Sequence, residues 1–569
     1  MRILRNSPSP SPANYIVAII LVWLVALMVI GVLQMVGAQF GFKVWALGED
    51  RVWLRFIQNS PEQSLVHAWW ATNDRNPLSA WWWLAISPLV HYSEWFLYIV
   101  RRCFDPILAI CTFLLLDQLG RKQSRAFAFS VALVVVLWNF SSYYESVLWD
   151  MLGALALTLL TLLFYCRYVD SNRANGNYLA LAMVCYFIAI STYTIQSGAV
   201  IGVAALAFFR KPFDGHYCLS ERIKNTLKDS SYFFAIFILY NCIWYTVNRN
   251  SDVYYIFNLP LFLTQFQNSL HQFWFHPSFS MFFGKIIKDW STTSTLTILA
   301  SVFLICSFIM SKWNFRQMAK VEGKATAMPI GWVIAILLSI AVPTVLLEST
   351  SNIWAPGTRS LMVQQVWQPL LYVSCIFVIA NFFFKSLRNT IAIVGVSMLC
   401  AIIFLIGLDY NYRLVIRTAY QRNLVAEINK LNIPYAPSTP FAFLVKMSDT
   451  SNEDLNSIYL PITMFSQTVF RNIDKTVRPI VADYQEAFAK YWKVNLGKDE
   501  EGVFNGRTLG DERVTPYKNL LIVFFDGKKL TVPEKIEKND LEGLQMIWNR
   551  NEPINQRENH PGLEFSVKG

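Results

Sequence analysis

For roughly its first four hundred residues the chain alternates long unbroken apolar runs with short polar stretches. Ile19 to Gly31, Val131 to Trp138, Leu296 to Phe308 and Ile391 to Gly407 sit inside such runs. The runs extend over about 17 to 23 residues, the length that carries a helix across a hydrocarbon core roughly 30 Å thick. A helix packed inside a water-soluble protein has no need to be apolar all round for that distance. The pattern predicts a mainly α, polytopic helical membrane protein with about eleven spans. They are expected near residues 16–35, 95–118, 126–140, 150–167, 178–194, 196–209, 232–246, 292–311, 328–347, 366–384 and 389–408. Around Ser191 to Ser197 two readings stand open: two short spans, or one kinked one.

From Asp409 the character of the chain changes. Charge rises, apolar runs shorten and turn residues appear. Pro434, Pro437, Ser438 and Pro440 lead into an apolar stretch from Phe441 to Val445, the signature of a turn feeding a strand. Asn519 to Phe525, Asp526-Gly527 and Leu530 to Val532 read as a hairpin. Arg413 to Leu431 and Arg478 to Tyr491 have helical spacing. These signals predict a C-terminal extramembrane α+β domain over 409–569, with an irregular tail after Asn551, following a transmembrane domain over 1–408.

Composition supports the membrane reading: 54% of residues are hydrophobic and only 15% charged, where a soluble domain has about a quarter charged. The net charge of +11 does not imply a nucleic-acid partner, because the cations gather in short loops. Arg121, Lys122 and Arg125 form one group; Arg210, Lys211, Arg222, Lys224 and Lys228 a second; Lys312, Arg316, Lys320 and Lys324 a third; Lys385 and Arg388 a fourth. Loops with few charges, such as Asn139 to Trp149, alternate with them. This is the positive-inside pattern, and it predicts a cytoplasmic N-terminus and a long outer segment over 38–93. The nine cysteines lie in expected spans or basic-side loops and show no CxxC spacing, so neither a structural disulfide nor a zinc site is expected. Arg2 and Arg5 precede a run too long for a cleaved leader, so a retained first span is expected.

The 38–93 segment carries the candidate chemistry. Glu49-Asp50-Arg51 follows the first span by about a dozen residues. Val52 to Trp70 has helical spacing with Trp53, Phe56, Trp69 and Trp70, which suggests a helix lying in the interface. Asp74-Arg75-Asn76-Pro77-Leu78 comes next, then Trp81-Trp82-Trp83. Arg101 and Arg102 stand near the outer end of the second span, where a charge is costly unless paired or functional; phosphate binding and pairing with Glu94, Asp105 or Glu145 are both open. Further on come Gly120-Arg121-Lys122, then Ser141-Ser142-Tyr143-Tyr144-Glu145, then Asp150 opening a span.

Taken in order, these motifs resemble those of the GT-C superfamily of membrane glycosyltransferases that use polyprenyl-phosphate sugars. The likeness is to the branch of protein O-mannosyltransferases and aminoarabinose transferases, and it covers roughly residues 15–170. That branch has an acidic pair after the first span, a proline turn some 25 residues later, a basic Gly-Arg inner loop, and a Tyr-Ser-Arg-Glu-like motif ahead of an Asp. Glu49-Asp50, Asn76-Pro77-Leu78, Gly120-Arg121-Lys122, Glu145 and Asp150 stand in those places. Two departures leave the sugar open: Asn-Pro-Leu replaces a double proline, and Tyr144 stands where an Arg usually precedes the Glu.

The resemblance implies an inverting transfer of a sugar from a polyprenyl-phosphate donor to a glycan, lipid or protein acceptor at the outer face. It nominates Asp50 as the base that deprotonates the acceptor hydroxyl, with Glu49 and Glu145 beside it and Asp74, Asn76, Tyr144 and Asp150 as weaker substrate-binding candidates. A departing lipid phosphate calls for a cation, best an Arg whose planar fork grips two oxygens. Arg359, in the turn Ala355-Pro356-Gly357-Thr358, is the candidate alongside Arg101 and Arg102, against the alternative of an interfacial snorkelling Arg. No certain cofactor is implied; a divalent ion bridging Asp50 and Glu145 is compatible with the pattern without being required by it. Two other classes compete: a transporter or lipid flippase, for which the inverted repeats are not evident, and a ligase or polymerase of O-antigen type. Cysteine usage and the lack of a retrieval signal favour a bacterial inner membrane with the C-terminal domain in the periplasm.

Overall fold

The computed structural model describes residues 11–38, 78, 82, 85, 94–120, 125–138, 140, 149–210, 219–247, 291–312, 364–383, 387–430, 441–447, 479–482, 503–504, 514–515, 520–525, 529–531 and 544–549. Two compact units result, one of Met1–Leu33 with Trp53–Asn411 and one of Gln34–Val52 with Tyr412–Gly569.

The described elements of the first unit are all helical, the last residues of α1 and α10 being counted with the second: α1 (Pro12–Ala38), α2 (Glu94–Leu119), α3 (Arg125–Trp138), α4 (Trp149–Asp170), α5 (Gly176–Thr192), α6 (Ala199–Phe209), α7 (Leu219–Val247), α8 (Thr292–Lys312), α9 (Gln364–Phe383) and α10 (Arg388–Lys430). Among the described residues five helices are long and apolar enough to cross a membrane, over 12–32, 151–170, 292–311, 365–382 and 388–409. The helical unit is that of a membrane protein. Helix α1 shows why: it is apolar toward both of its surroundings. Ala18, Ile19, Ala26 and Ile30 are buried, while Val17, Leu21, Val25, Met28 and Val32 form an exposed stripe. In lipid every backbone N–H must bond within its own segment, which forces such runs into helices even where β-branched residues crowd, as in Val134-Val135-Val136 of α3.

Helices α2, α3 and α4 form the packed centre, with α5 and α6 against α4, α7 against α5 and α6, and α9 against α3. All of α3 after Arg125 is buried. Aromatic pairs lock the neighbours together: Trp138 on Tyr372 at 5.7 Å, Phe127 on Phe377 at 5.2 Å, and Tyr15 on Phe113 and Phe129 at 5.4 and 5.2 Å between ring centroids.

Most helices begin and end close to the expected spans, and the differences have local causes. Between α5 and α6, Tyr193 is extended and residues Thr194–Gly198 make a 3-10 turn, so the chain here is two short helices. Helix α7 starts well before residue 232, because Leu219 to Lys228 holds no breaker and has Glu221 in its first turn, where the helix dipole favours an acid. Helix α10 runs unbroken for 43 residues, joining the expected span at 389–408 to the expected helix at 413–431. Neither Gly nor Pro occurs between Leu408 and Lys430, so nothing stops the helix where the composition changes. The expected span at 328–347 lies outside the described residues.

In the second unit, strands β1 (Phe441–Met447), β2 (Pro479–Ala482), β5 (Leu520–Phe525), β6 (Leu530–Thr531) and β7 (Leu544–Asn549) form a sheet in the order β2-β7-β1-β5-β6. Strands β1 and β5 are parallel; the other pairings are antiparallel. A separate pair joins β3 (Val503–Phe504) to β4 (Val514–Thr515). The β5–β6 pair, Phe525 opposite Leu530, is the hairpin expected from Asp526-Gly527. The helix expected from Arg478 is corrected at its start: Pro479, Ile480 and Val481 are in β2, where a fixed proline φ and two β-branched side chains suit a strand.

Candidate functional site

The two ends of the helical unit carry polar side chains of different kinds. At the end facing the basic loops, charges are paired. Arg210 closes α6 and is buried; its Nε donates to Asp170 Oδ1 at 2.8 Å and its Nη2 to Asp170 Oδ2 at 2.6 Å, a two-pronged grip. The same guanidinium donates to the carbonyls of Gln118 and Leu119 at 2.7 and 3.2 Å, which satisfies orphan carbonyls at the end of α2. Gln118 Nε2 donates to Asp170 Oδ2 at 2.6 Å. Beside them, Asp229 of α7 accepts from Tyr165 at 2.6 Å and from Arg173 at 3.1 Å, and Arg125 pairs with Asp117 at 3.1 Å. Arg173 holds a left-handed backbone with φ 60°, a conformation that costs a non-glycine residue of order 1 kcal/mol or more and persists only where contacts fix it. Asp117, Arg210 and Arg173 therefore bind helix ends to each other.

At the opposite end the polar groups are less fully used. Arg102 lies one turn before Asp105, and the pair meets at 3.4 Å with Asp105 almost wholly buried. A charge-assisted pair is normally nearer about 2.7–2.9 Å. Pro106 follows, and a proline within a helix supplies no N–H to the carbonyl four residues back, here that of Arg102. The Arg102 guanidinium lies 4.9 Å from the centre of the Phe140 ring, within cation–π range. Phe140 is held in turn by α10. Asn411 Nδ2 donates to the carbonyls of Phe140 and Gly407 at 3.2 and 2.7 Å, and a Cβ on Gly407 would stand 3.1 Å from the Phe140 carbonyl carbon. Gly407 is the residue that lets these two backbones approach.

This end also receives Leu78 and Trp82 of the 38–93 segment. Leu78 N donates to the Ser191 carbonyl at 2.9 Å, and Trp82 Nε1 to Thr192 Oγ1 at 3.0 Å. The Trp82 ring meets Phe104 edge-on at 6.3 Å and fills the space left by Gly153, whose Cβ would lie 3.0 Å from it. Nearby elements contribute buried amides with unfilled bonding capacity. Gln196 accepts from Thr158 at 2.7 Å, while among the described residues its Nε2 has no partner and Gln365 Oε1 and Asn411 Oδ1 have none either. Buried polar groups inside a membrane bundle are costly and tend to mark sites of function.

Of the sequence-predicted site residues, Arg101 and Arg102 are at this end; Arg102 makes one of the pairings left open, with Asp105. Asp150 is the second residue of α4. Glu49, Asp50, Asp74, Asn76, Tyr144, Glu145 and Arg359 lie outside the described residues, as does the expected interfacial helix at 52–70. Among the described residues no group of three or more His, Cys, Asp or Glu could hold a metal ion. Sequence reading missed Trp82, Gln196, Gln365 and Asn411; only the tryptophan run offered a signal, since a lone amide in an apolar helix has no motif.

No family model, curated protein or solved structure matches this chain.

Proposed function

We propose that the protein is an inverting membrane glycosyltransferase that moves a sugar from a polyprenyl-phosphate carrier to a glycan, lipid or protein acceptor. In this reading about eleven spans carry the reaction, the basic-loop end is cytoplasmic, and the opposite end opens to the outer face of a bacterial inner membrane. The C-terminal residues form a periplasmic α+β domain. Asp50 is the general base, supported by Glu49 and Glu145, and Arg359 with Arg101 and Arg102 receives the carrier phosphate. Asp74, Asn76, Tyr144 and Asp150 line the approach.

The observation that carries the reading is the docking of Leu78 and Trp82 on the end of the bundle that holds Arg102 and Asp105. These two residues come directly after the Asn76-Pro77 turn. A cation at the end of the bundle and a chain segment bearing carboxylates are what transfer from a lipid phosphate requires: one group to accept a proton and one to stabilise the leaving phosphate.

A panel of radiolabelled polyprenyl-phosphate sugars offered to membranes holding the protein tests the class directly. Asp50→Asn keeps the size of the side chain and removes the proton acceptor, so turnover should fall by about 10² to 10⁴ while donor binding survives. If Asp50→Asn turns over normally and Glu145→Gln is dead, the base is misassigned within a correct site. Normal turnover in all three variants, Asp50→Asn, Glu49→Gln and Glu145→Gln, would remove the reading's chemical support.

A further inference from the structure

The first three turns of α7 combine two kinds of surface. Leu219, Ile223 and Leu227, spaced four apart, are 63%, 46% and 68% exposed. At 3.6 residues per turn they fall within an arc of roughly 80°. Lys224 and Lys228 are also exposed and occupy the arc next to them, with Glu221 at its edge. The other side of the helix is committed to the protein: Asp229 bonds Tyr165, and Phe233 meets the rings of Tyr165 and Tyr186 at 5.9 and 5.5 Å. Farther along α7 the same apolar arc continues through Phe234 and Ile238, 52% and 57% exposed.

We propose that this face binds an anionic phospholipid. The acyl chains lie along Leu219, Ile223, Leu227, Phe234 and Ile238, and the headgroup phosphate sits beside Lys224 and Lys228. Continuity of the stripe decides the occupant. Apart from Ser230 and Ser231, which stand on the arc between Leu227 and Phe234, the arc stays apolar from the cationic turns into the second half of α7, so an occupant apolar along its length and anionic at one end fits it best. A phospholipid has that shape. Lysine stems cover apolar surface while their ammonium groups reach the phosphate level, and each lysine near an anionic surface strengthens binding by about fivefold.

The test is native mass spectrometry of the purified full-length protein titrated with phosphatidylglycerol or phosphatidylcholine. Phosphatidylglycerol should be retained about 25-fold more strongly, about fivefold for each of the two lysines. Lys224→Gln with Lys228→Gln should abolish that preference, Lys224→Arg with Lys228→Arg should keep it, and salt at about 0.5 M should weaken it in the unaltered protein. Equal retention of the two lipids, or a preference untouched by the double Gln variant or by salt, overturns the proposal. Millimolar inorganic phosphate should not compete; competition would mean a free-anion site and would overturn it too. Should added lipid fail to disperse a dimer that Leu227→Asp breaks, the occupant is a second copy of the chain and the proposal fails.

Discussion

The two ends of the helical unit solve the same problem in different ways. Both place polar and charged side chains where water is scarce. At the basic-loop end the charges are matched: Arg210 grips Asp170 with both prongs and takes the last carbonyls of α2, while Arg173 and Tyr165 share Asp229. One oxygen of Asp229 is left over. At the other end the ion pair Arg102–Asp105 is longer, and three buried amides from three different elements keep an unfilled donor or acceptor. A nearly saturated network gives rigidity, because most of its groups would lose a partner on moving. An unsaturated one costs stability, which a polar group supplying the missing bonds would restore. The difference assigns fixation of the helices to one end; under the proposed function, recognition falls to the other.

The largest effect expected from this contrast is at Arg210. Arg210→Ala would leave the buried Asp170 uncompensated and the end of α2 unsatisfied, so the protein should lose about 3–5 kcal/mol of stability. Thermal or denaturant unfolding in detergent measures it. Arg210→Lys should recover only part, since an ammonium cannot make the two-pronged contact and reach both carbonyls. A loss below about 1 kcal/mol for the Ala variant would equate this end with an ordinary surface pair.

An intermediate effect is expected at Trp82. Trp82→Ala removes a half-buried ring from the hollow beside Gly153 and a hydrogen bond to Thr192, and should cost about 2 kcal/mol. If Trp82 holds its stretch of chain in place for transfer, turnover should fall by more than that loss of stability explains. Thr192→Val keeps the ring, removes the acceptor of Trp82 Nε1 together with the Oγ1 bond to the Ile188 carbonyl, and should cost about 1 kcal/mol. Proportional losses of stability and turnover in both variants would make Trp82 a packing residue and nothing more.

The sequence revealed those parts of the fold that depend on length and apolarity alone. The spans around 16–35, 150–167 and 292–311 were legible because a bilayer sets their length. The continuity of α10 was not, since the rise in charge after Asp409 reads as a boundary while the absence of Gly and Pro decides the helix. Arg210 read as a loop cation, and Arg173 drew no reading at all, because their partners, Asp170 and Asp229, are 40 and 56 residues away. Arg102 was easier: Asp105 lies one turn on. The Trp82–Thr192 bond spans 110 residues, and no local pattern foretells it. At residues 479–482 helical spacing misled, because the proline and β-branched side chains carried more weight than the periodicity.

The smallest effect expected should also have the opposite sign. Gln365 is buried near the start of α9, and its amide oxygen has no partner. Gln365→Leu replaces the amide with an apolar group of similar volume, so a desolvation cost disappears and little packing is lost. Removing an unsatisfied buried polar atom is worth about 1–3 kcal/mol in principle, but side-chain repacking offsets part of that, and a gain of up to about 1 kcal/mol is expected. Unfolding of the purified variant in detergent reads the stability. Donor affinity, measured on the same sample, should fall, because the ligand would lose a partner that the empty protein keeps available. The pairing of these two results separates the ends of the helical unit: Arg210→Ala loses stability first and activity with it, while Gln365→Leu holds or gains stability and loses binding. A Gln365→Leu variant that unfolds more easily by about 2 kcal/mol or more would make the amide a structural bond. The division between a fixing end and a recognising end would then fail at the residue where it is easiest to measure.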